Sequence, residues 1–278
     1  MDDSEKDLVI PGTPGGLVEP EEPAPCLIVN APGTSEALLV TDHSSNRIPR
    51  KLDALGLSER ELGLHIAWDI GIGAVAILLA KRLDAPAILA GYSRLVMDLN
   101  REPGGTGSFV EVSDGVEIPG NRILTAAGRD ARKRALFDPY HNAIAALIES
   151  RNRANWRTCL ICLHSFTPEM DGFKRPWHIG VLWNGNFGGI AARLLASLRA
   201  DPALCVGDNE PYDARGDVGY TQRHHAVPVN MPNVLLEIRQ DLIADLAGQE
   251  RWAKLLAEHL GPILVDETLW AEAAADRS

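Results

Sequence analysis

Short apolar runs alternate with longer segments of helical spacing along the whole chain, and this alternation confines it to α/β architectures. The runs Cys26–Asn30 and Ala37–Asp42 are unbroken and apolar, as strands buried on both faces are. Further strands are expected at Ala87–Ser93, Thr158–His164, His178–Trp183 and Asn233–Ile238, and a short extended segment at Arg94–Glu102, where apolar and polar residues alternate. Helical spacing runs from Leu62 to Leu83, but Gly71 and Gly73 interrupt it. That predicts two helices, or one kinked at about Trp68–Gly73. Other helices are expected from about Arg129 to Arg153, over Gly188–Ala200, and from Asp241 to near the end. Residues 102–122 are rich in Pro and Gly and read as a long irregular loop, a kind that often carries function. There is no internal repeat and no central linker. The expected organisation is one domain over residues 26–278, preceded by a loosely packed arm, residues 1–25, rich in Pro, Gly and Glu.

Composition narrows the partners. Hydrophobic residues make up 45% of the 278, enough for a large core, and aromatics only 5%, so that core rests on Leu, Ile, Val and Ala. The net charge of −11, with no dense Lys/Arg cluster, sets the chain against nucleic acid and anionic membranes, and neither is expected as a partner. A small anionic substrate would need its own local arginines. The acidic start MDDSEKD and the lack of any stretch near 18 apolar residues predict a cytoplasmic protein. Cys159 and Cys162 form a C-x-x-C inside a strand, where that spacing sends the two thiols to opposite faces, so buried thiols are expected. Nothing in the sequence bears on oligomeric state.

His43 and His164 each follow an apolar strand and lead into Ser/Thr/Pro loops. In open α/β sheets active sites collect at such strand exits, and neutral imidazole is the commonest zinc ligand. A catalytic zinc takes three protein groups, which calls for a third ligand. Asp69 opens a helical run and is either a cap or that ligand; His65, four residues earlier, is its rival. Glu237 ends an apolar strand, where it is either paired with Arg239 or poised as a base. Arg94, Asp98 and Arg101 form a compact charged group, suited to holding a carboxylate or to a surface ion-pair network. No G-x-S-x-G is present, and the GGTG at residues 104–107 does not sit between a strand and a helix, which disfavours a serine hydrolase and a dinucleotide site.

The blocks DHSSNRIP, HIAWDIGIGAVAILLAKRLDAPAILAGYSRLVMDLNRE, IPGN, DPYHNAI, CLHSFTP, DVGYTQRHHA and MPNVLLEIRQDLI occur in that order between about residues 26 and 260. Together they resemble the N-formylglutamate amidohydrolase family. The resemblance implies a mixed central sheet flanked by helices on both faces, akin to zinc exopeptidases and cell-wall amidases. It implies hydrolysis of the amide of a small anionic N-acyl amino acid, with formate and glutamate as products in the named reaction. It implies one zinc per chain on His43, Asp69 and His164, with Glu237 as general base. In this scheme Arg94 and Arg101 hold substrate carboxylates, and His225, or His224, donates to the oxyanion. The alternatives are a zinc amidase or peptidase acting on peptide or cell-wall fragments, and a non-catalytic ligand-binding relative.

Overall fold

The computed structural model describes residues 7–184, 188–216 and 218–275. In chain order the strands are β1 (Leu8–Ile10), β2 (Cys26–Val29), β3 (Ala37–Thr41), β4 (Ala87–Ala90), β5 (Val112–Ser113), β6 (Val116–Glu117), β7 (Cys159–Phe166), β8 (Glu169–Met170), β9 (Phe173–Lys174), β10 (Ile179–Leu182), β11 (Val206–Asp208) and β12 (Asn233–Arg239). The helices are α1 (Glu59–Leu62), α2 (Ile72–Leu83), α3 (Ala126–Arg132), α4 (Asp138–Arg153), α5 (Gly188–Arg199), α6 (Tyr220–His225), α7 (Leu246–Leu264) and α8 (Glu267–Ala275).

Eight strands form one mixed sheet in the order β1-β2-β4-β3-β7-β12-β10-β11. Its centre, β4-β3-β7-β12, is parallel, and β10 runs antiparallel to β12. The strands are apolar throughout because both faces are covered. On one face Leu39, Ile161, Val181 and Leu236 pack against α2, α5, α7 and α8. On the other, Leu38, Val40, Leu160 and Leu235 pack against α4 and the residues around Leu95–Met97. Cys159 belongs to the first layer and Cys162 to the second, as the strand's two-residue period requires. The mixed sheet with helices on both faces is therefore the fold of this chain.

Three local expectations differ from the structure. From Asp7 onward the N-terminal residues belong to the fold: β1 pairs with β2, Val18 is buried, and the Arg50 amide donates to Glu22 Oε1 at 2.8 Å. The flexible arm expected for residues 1–25 thus does not extend over residues 7–25; covering the open edge of β2 gives them a place to bond. Arg94–Glu102 is a series of turns rather than a strand, begun where the Leu95 amide donates to Ser93 Oγ at 3.1 Å. Its alternation reflects burial of Leu95, Met97 and Leu99 while Asp98 is turned toward His43. The helix expected over 129–153 is longer, running on from α3 into α4 through a π-type turn at Lys133–Phe137. Pro139 has no N–H for the Ala135 carbonyl, and its ring widens the turn there.

Candidate metal centre and active site

The carboxyl ends of β3, β7 and β12 lie side by side, and the reactive side chains stand there. His43 follows β3 by one residue beyond Asp42, while His164 lies within β7 and Glu237 within β12. The register pairs Glu237 directly with His164, so both side chains leave the sheet on the α4 face. Asp69 reaches the same point from the irregular segment before α2. Its amide donates to the His43 carbonyl at 2.9 Å. Its Oδ2 accepts from the Ser165 amide at 3.2 Å and lies 2.9 Å from His164 Nδ1. Asp69 does not cap α2, whose N-cap is Gly71 at φ 82° with no side-chain bond. A Cβ at Gly71 would stand 2.1 Å from the Ile243 carbonyl oxygen, so only glycine lets the helix start pack this closely against Ile243.

One ligand-type atom from each of His43, Asp69 and His164 lies within 4.8 Å of the others, and all three residues are buried. Each histidine is backed from behind. His43 Nε2 lies 2.8 Å from Asp98 Oδ1, which leaves Nδ1 facing Asp69 Oδ2 at 3.5 Å with no hydrogen-bond partner. His164 Nε2 lies 3.1 Å from Asp42 Oδ2, and Asp42 in turn accepts from Thr221 Oγ1 at 2.6 Å. Carboxylates behind ligand imidazoles are the usual second layer of metal sites, where they fix the tautomer and raise basicity.

Charge makes the same case. Asp42, Asp69 and Asp98 are buried with only Arg94 as a permanent cation among them, at 2.7 Å from Asp98 and 3.6 Å from Asp69. The remaining two negative charges call for two protonated imidazoles or one divalent cation. Without a cation the imidazoles respond. Burial and Arg94 oppose a charged His43, but Asp98 and Asp69 outweigh them and raise its pKa. Burial likewise opposes a charged His164, and Asp42 and Asp69 raise it well above the usual range. The donor set and the orphaned His43 Nδ1 fit a metal ion such as zinc.

Glu237 is buried, its Oε2 has no hydrogen-bond partner among the described residues, and burial pushes its carboxyl up to about 7. The pairing with Arg239 does not form; Arg239 bonds Asp241 instead. Glu237, His43, Asp69, His164, Arg94, Arg101, Asn100 and Tyr212 line one cavity of about 310 Å³. Arg101 pairs with no carboxylate among the described residues and donates only to the Asn100 carbonyl, at 3.3 Å. Arg94, by contrast, pairs with the two aspartates and orders the candidate metal site.

His65 lines the cavity wall 3.5 Å from Asp114 and stands outside the three-residue group. The segment between α1 and α2 is not helical, so the shared face that made it a rival ligand does not exist. His225, expected to donate into the site, is turned away from the cavity. Its Nε2 meets His141 Nδ1 at 2.9 Å, while His224 Nδ1 meets the Tyr220 hydroxyl at 3.2 Å. Sequence reasoning missed Asp42, although a carboxylate closing an apolar strand carries the same signal that singled out Glu237. Asp98, placed by sequence only in a charged group with Arg94 and Arg101, backs His43.

A family model described as N-formylglutamate amidohydrolase matches residues 35–244. The solved structure of a gene product of Agrobacterium tumefaciens is 38% identical with a TM-score of 0.83, over 86% of this chain and 94% of that one. The structure of N-formylglutamate amidohydrolase from Ralstonia eutropha is 17% identical with a TM-score of 0.63, over 83% of this chain and 94% of that one. No curated protein matches the chain by sequence.

Proposed function

The chain belongs to the N-formylglutamate amidohydrolase family, and from that premise we propose that it is a zinc-dependent hydrolase of N-acyl amino acids carrying an acidic side chain, N-formylglutamate being the reference substrate. The observation that carries the reading is a buried carboxylate with a free oxygen, Glu237 Oε2, in the same cavity as the His43–Asp69–His164 group.

Zinc, held by His43, Asp69 and His164, would supply a Lewis acid that brings the pKa of water toward about 7. Glu237 takes the proton from the attacking water at Oε2, and its burial favours holding that proton until it is passed to the departing amine nitrogen. Asp98 and Asp42 hold the two imidazoles in place, and Arg94 holds Asp98 and Asp69. Arg101, the cavity arginine with no carboxylate partner among the described residues, takes the substrate carboxylate through its planar fork.

The test is amine release from a panel of N-formyl and N-acetyl derivatives of Glu, Asp, Leu and Ala by the zinc-reconstituted protein. The acidic derivatives are expected to be hydrolysed first. Arg101→Ala is expected to raise KM for them about 10- to 100-fold, with little change for the Leu derivative. No hydrolysis of any derivative would overturn the reading; an equal effect of Arg101→Ala on both classes would remove Arg101 from substrate binding.

A further inference from the structure

Residues paired across neighbouring strands send their side chains to the same face of a sheet. The register of β7, β12, β10 and β11 sets His164, Glu237, Gly180 and Gly207 in one such row. Two reactive side chains are thus followed by two glycines. The room the glycines leave is filled: a Cβ at Gly180 would stand 1.9 Å from the Glu210 carbonyl oxygen, and one at Gly207 would stand 2.7 Å from Glu210 Cβ. The chain leaving β11 therefore lies across the sheet on the face that Glu237 occupies, and two residues later it presents Tyr212 to the cavity. Asn209 pins this segment. Its Oδ1 accepts from the amides of Trp183 (3.0 Å) and Ala214 (3.3 Å), and its Nδ2 donates to the Trp183 carbonyl at 3.1 Å.

Behind Tyr212 stands Arg175, buried, with no carboxylate partner among the described residues. It donates to the Thr167 carbonyl and to Tyr212 Oη, both at 3.3 Å, and meets Met170 Sδ at 2.8 Å. Its guanidinium also lies 5.1 Å from the centre of the Tyr212 ring. A guanidinium has no lone pair, so in this contact the phenol oxygen accepts and its own proton is aimed elsewhere. Cationic Arg175 strengthens that donor by drawing charge from the ring.

Resting on the amidohydrolase reading, we propose that Tyr212 is a catalytic residue, its hydroxyl donating a hydrogen bond to the acyl oxygen of the substrate amide as that oxygen gains charge, and that Arg175 positions it. As Glu237 takes a proton from water, the water oxygen bonds to the acyl carbon and the carbonyl π pair moves to the acyl oxygen, which Tyr212 supports. The pair then returns, the C–N bond breaks, and the proton held by Glu237 goes to the nitrogen. Tyr212 keeps its proton throughout. Burial and the Glu237 carboxylate keep the phenol in its neutral, donating form. This is the role earlier expected of His225, filled by a residue that the sheet itself brings to the cavity.

The experiment compares wild type, Tyr212→Phe, Arg175→Lys and Arg175→Met, each zinc-loaded, in kinetics and in calorimetric binding. The two ligands are a phosphonate analogue, tetrahedral at the acyl position, and the free amino acid product. Tyr212→Phe is expected to keep its zinc and its product affinity, to lose about 10²- to 10³-fold in kcat with KM within a few fold, and to bind the phosphonate correspondingly more weakly. Arg175→Met should approach that behaviour, and Arg175→Lys should recover part of it. Wild-type kcat and phosphonate affinity in Tyr212→Phe would overturn the proposal alone. So would equal loss of phosphonate and product binding, or loss of zinc, since either marks a structural role. A wild type that hydrolyses no N-acyl amino acid would overturn the amidohydrolase reading, and this inference with it.

Discussion

Two buried histidine pairs lie in this molecule at nearly the same ring separation, 5.1 Å for His43 and His164 and 5.2 Å for His141 and His225, yet they are built for opposite chemistry. The first pair is surrounded by Asp42, Asp69 and Asp98, which draw the rings toward positive charge or toward a cation. The second touches no carboxylate among the described residues. His141 donates from Nε2 to the Leu99 carbonyl, accepts at Nδ1 from His225, and so both rings stay neutral. Burial, only partly offset by the charge of Asp42, lowers His141 to about 4 and His225 to about 3. Residue type and burial are shared, so what separates the candidate metal centre from a structural histidine pair is the company of carboxylates in direct contact.

The comparison can be broken at several points. The largest effect belongs to the acid beside the first pair. Glu237→Gln keeps size and shape but cannot take a proton, so kcat should fall by roughly 10²–10⁴ while zinc content stays at the wild-type level. Loss of zinc in that variant would make Glu237 a ligand rather than a base. Next comes the carboxylate backing. Asp42→Asn should weaken zinc affinity about 10- to 100-fold in a competition titration against a chelating dye at pH 7. An unchanged affinity would mean that the Asp42–His164 contact does not tune the site.

The second pair is tested through pH. Each ring has a folded pKa below its unfolded value of about 6.5, so as pH falls from about 6.5 toward 4 the unfolded chain binds protons that the folded chain refuses. Stability should therefore drop on acidification by about 1.4 kcal/mol per pH unit for each ring. His225→Gln keeps a donor for His141 and removes one titrating group. The difference in unfolding free energy between wild type and His225→Gln should follow that slope between pH 6 and 4.5, and a flat difference would mean that His225 is solvated. The smallest effect expected is on metal: the same variant should bind zinc within a factor of about three of wild type, since the Leu99–His141–His225 chain touches none of the three candidate ligands.

Much of this arrangement is legible in the sequence, and the reason differs by residue. His43 and His164 announced themselves because a polar ring at the end of an apolar strand is costly unless something holds it. Asp69 was ambiguous because a local signal, an acid near a helix start, has two physical explanations. Only the tertiary contact with Ser165 and His164, about 95 positions away, decides between them. The fold class followed from alternation, while the turns at Arg94–Glu102 did not, because Leu95 through Asn100 are all buried and the apolar–polar alternation there marks no exposed strand face. Tyr212 was invisible for a related reason. Its place depends on which glycines of β10 and β11 fall in register with Glu237, and strand register is not written in any one segment.

On the proposed function, His43, Asp69 and His164 together hold one divalent cation. The most direct measurement is zinc titration of the metal-stripped protein by calorimetry with elemental analysis, on wild type and on His164→Ala side by side. The account predicts close to one zinc per chain for wild type and none retained by a folded His164→Ala. Wild type that binds no zinc, or a His164→Ala that binds it as tightly as wild type, would contradict it.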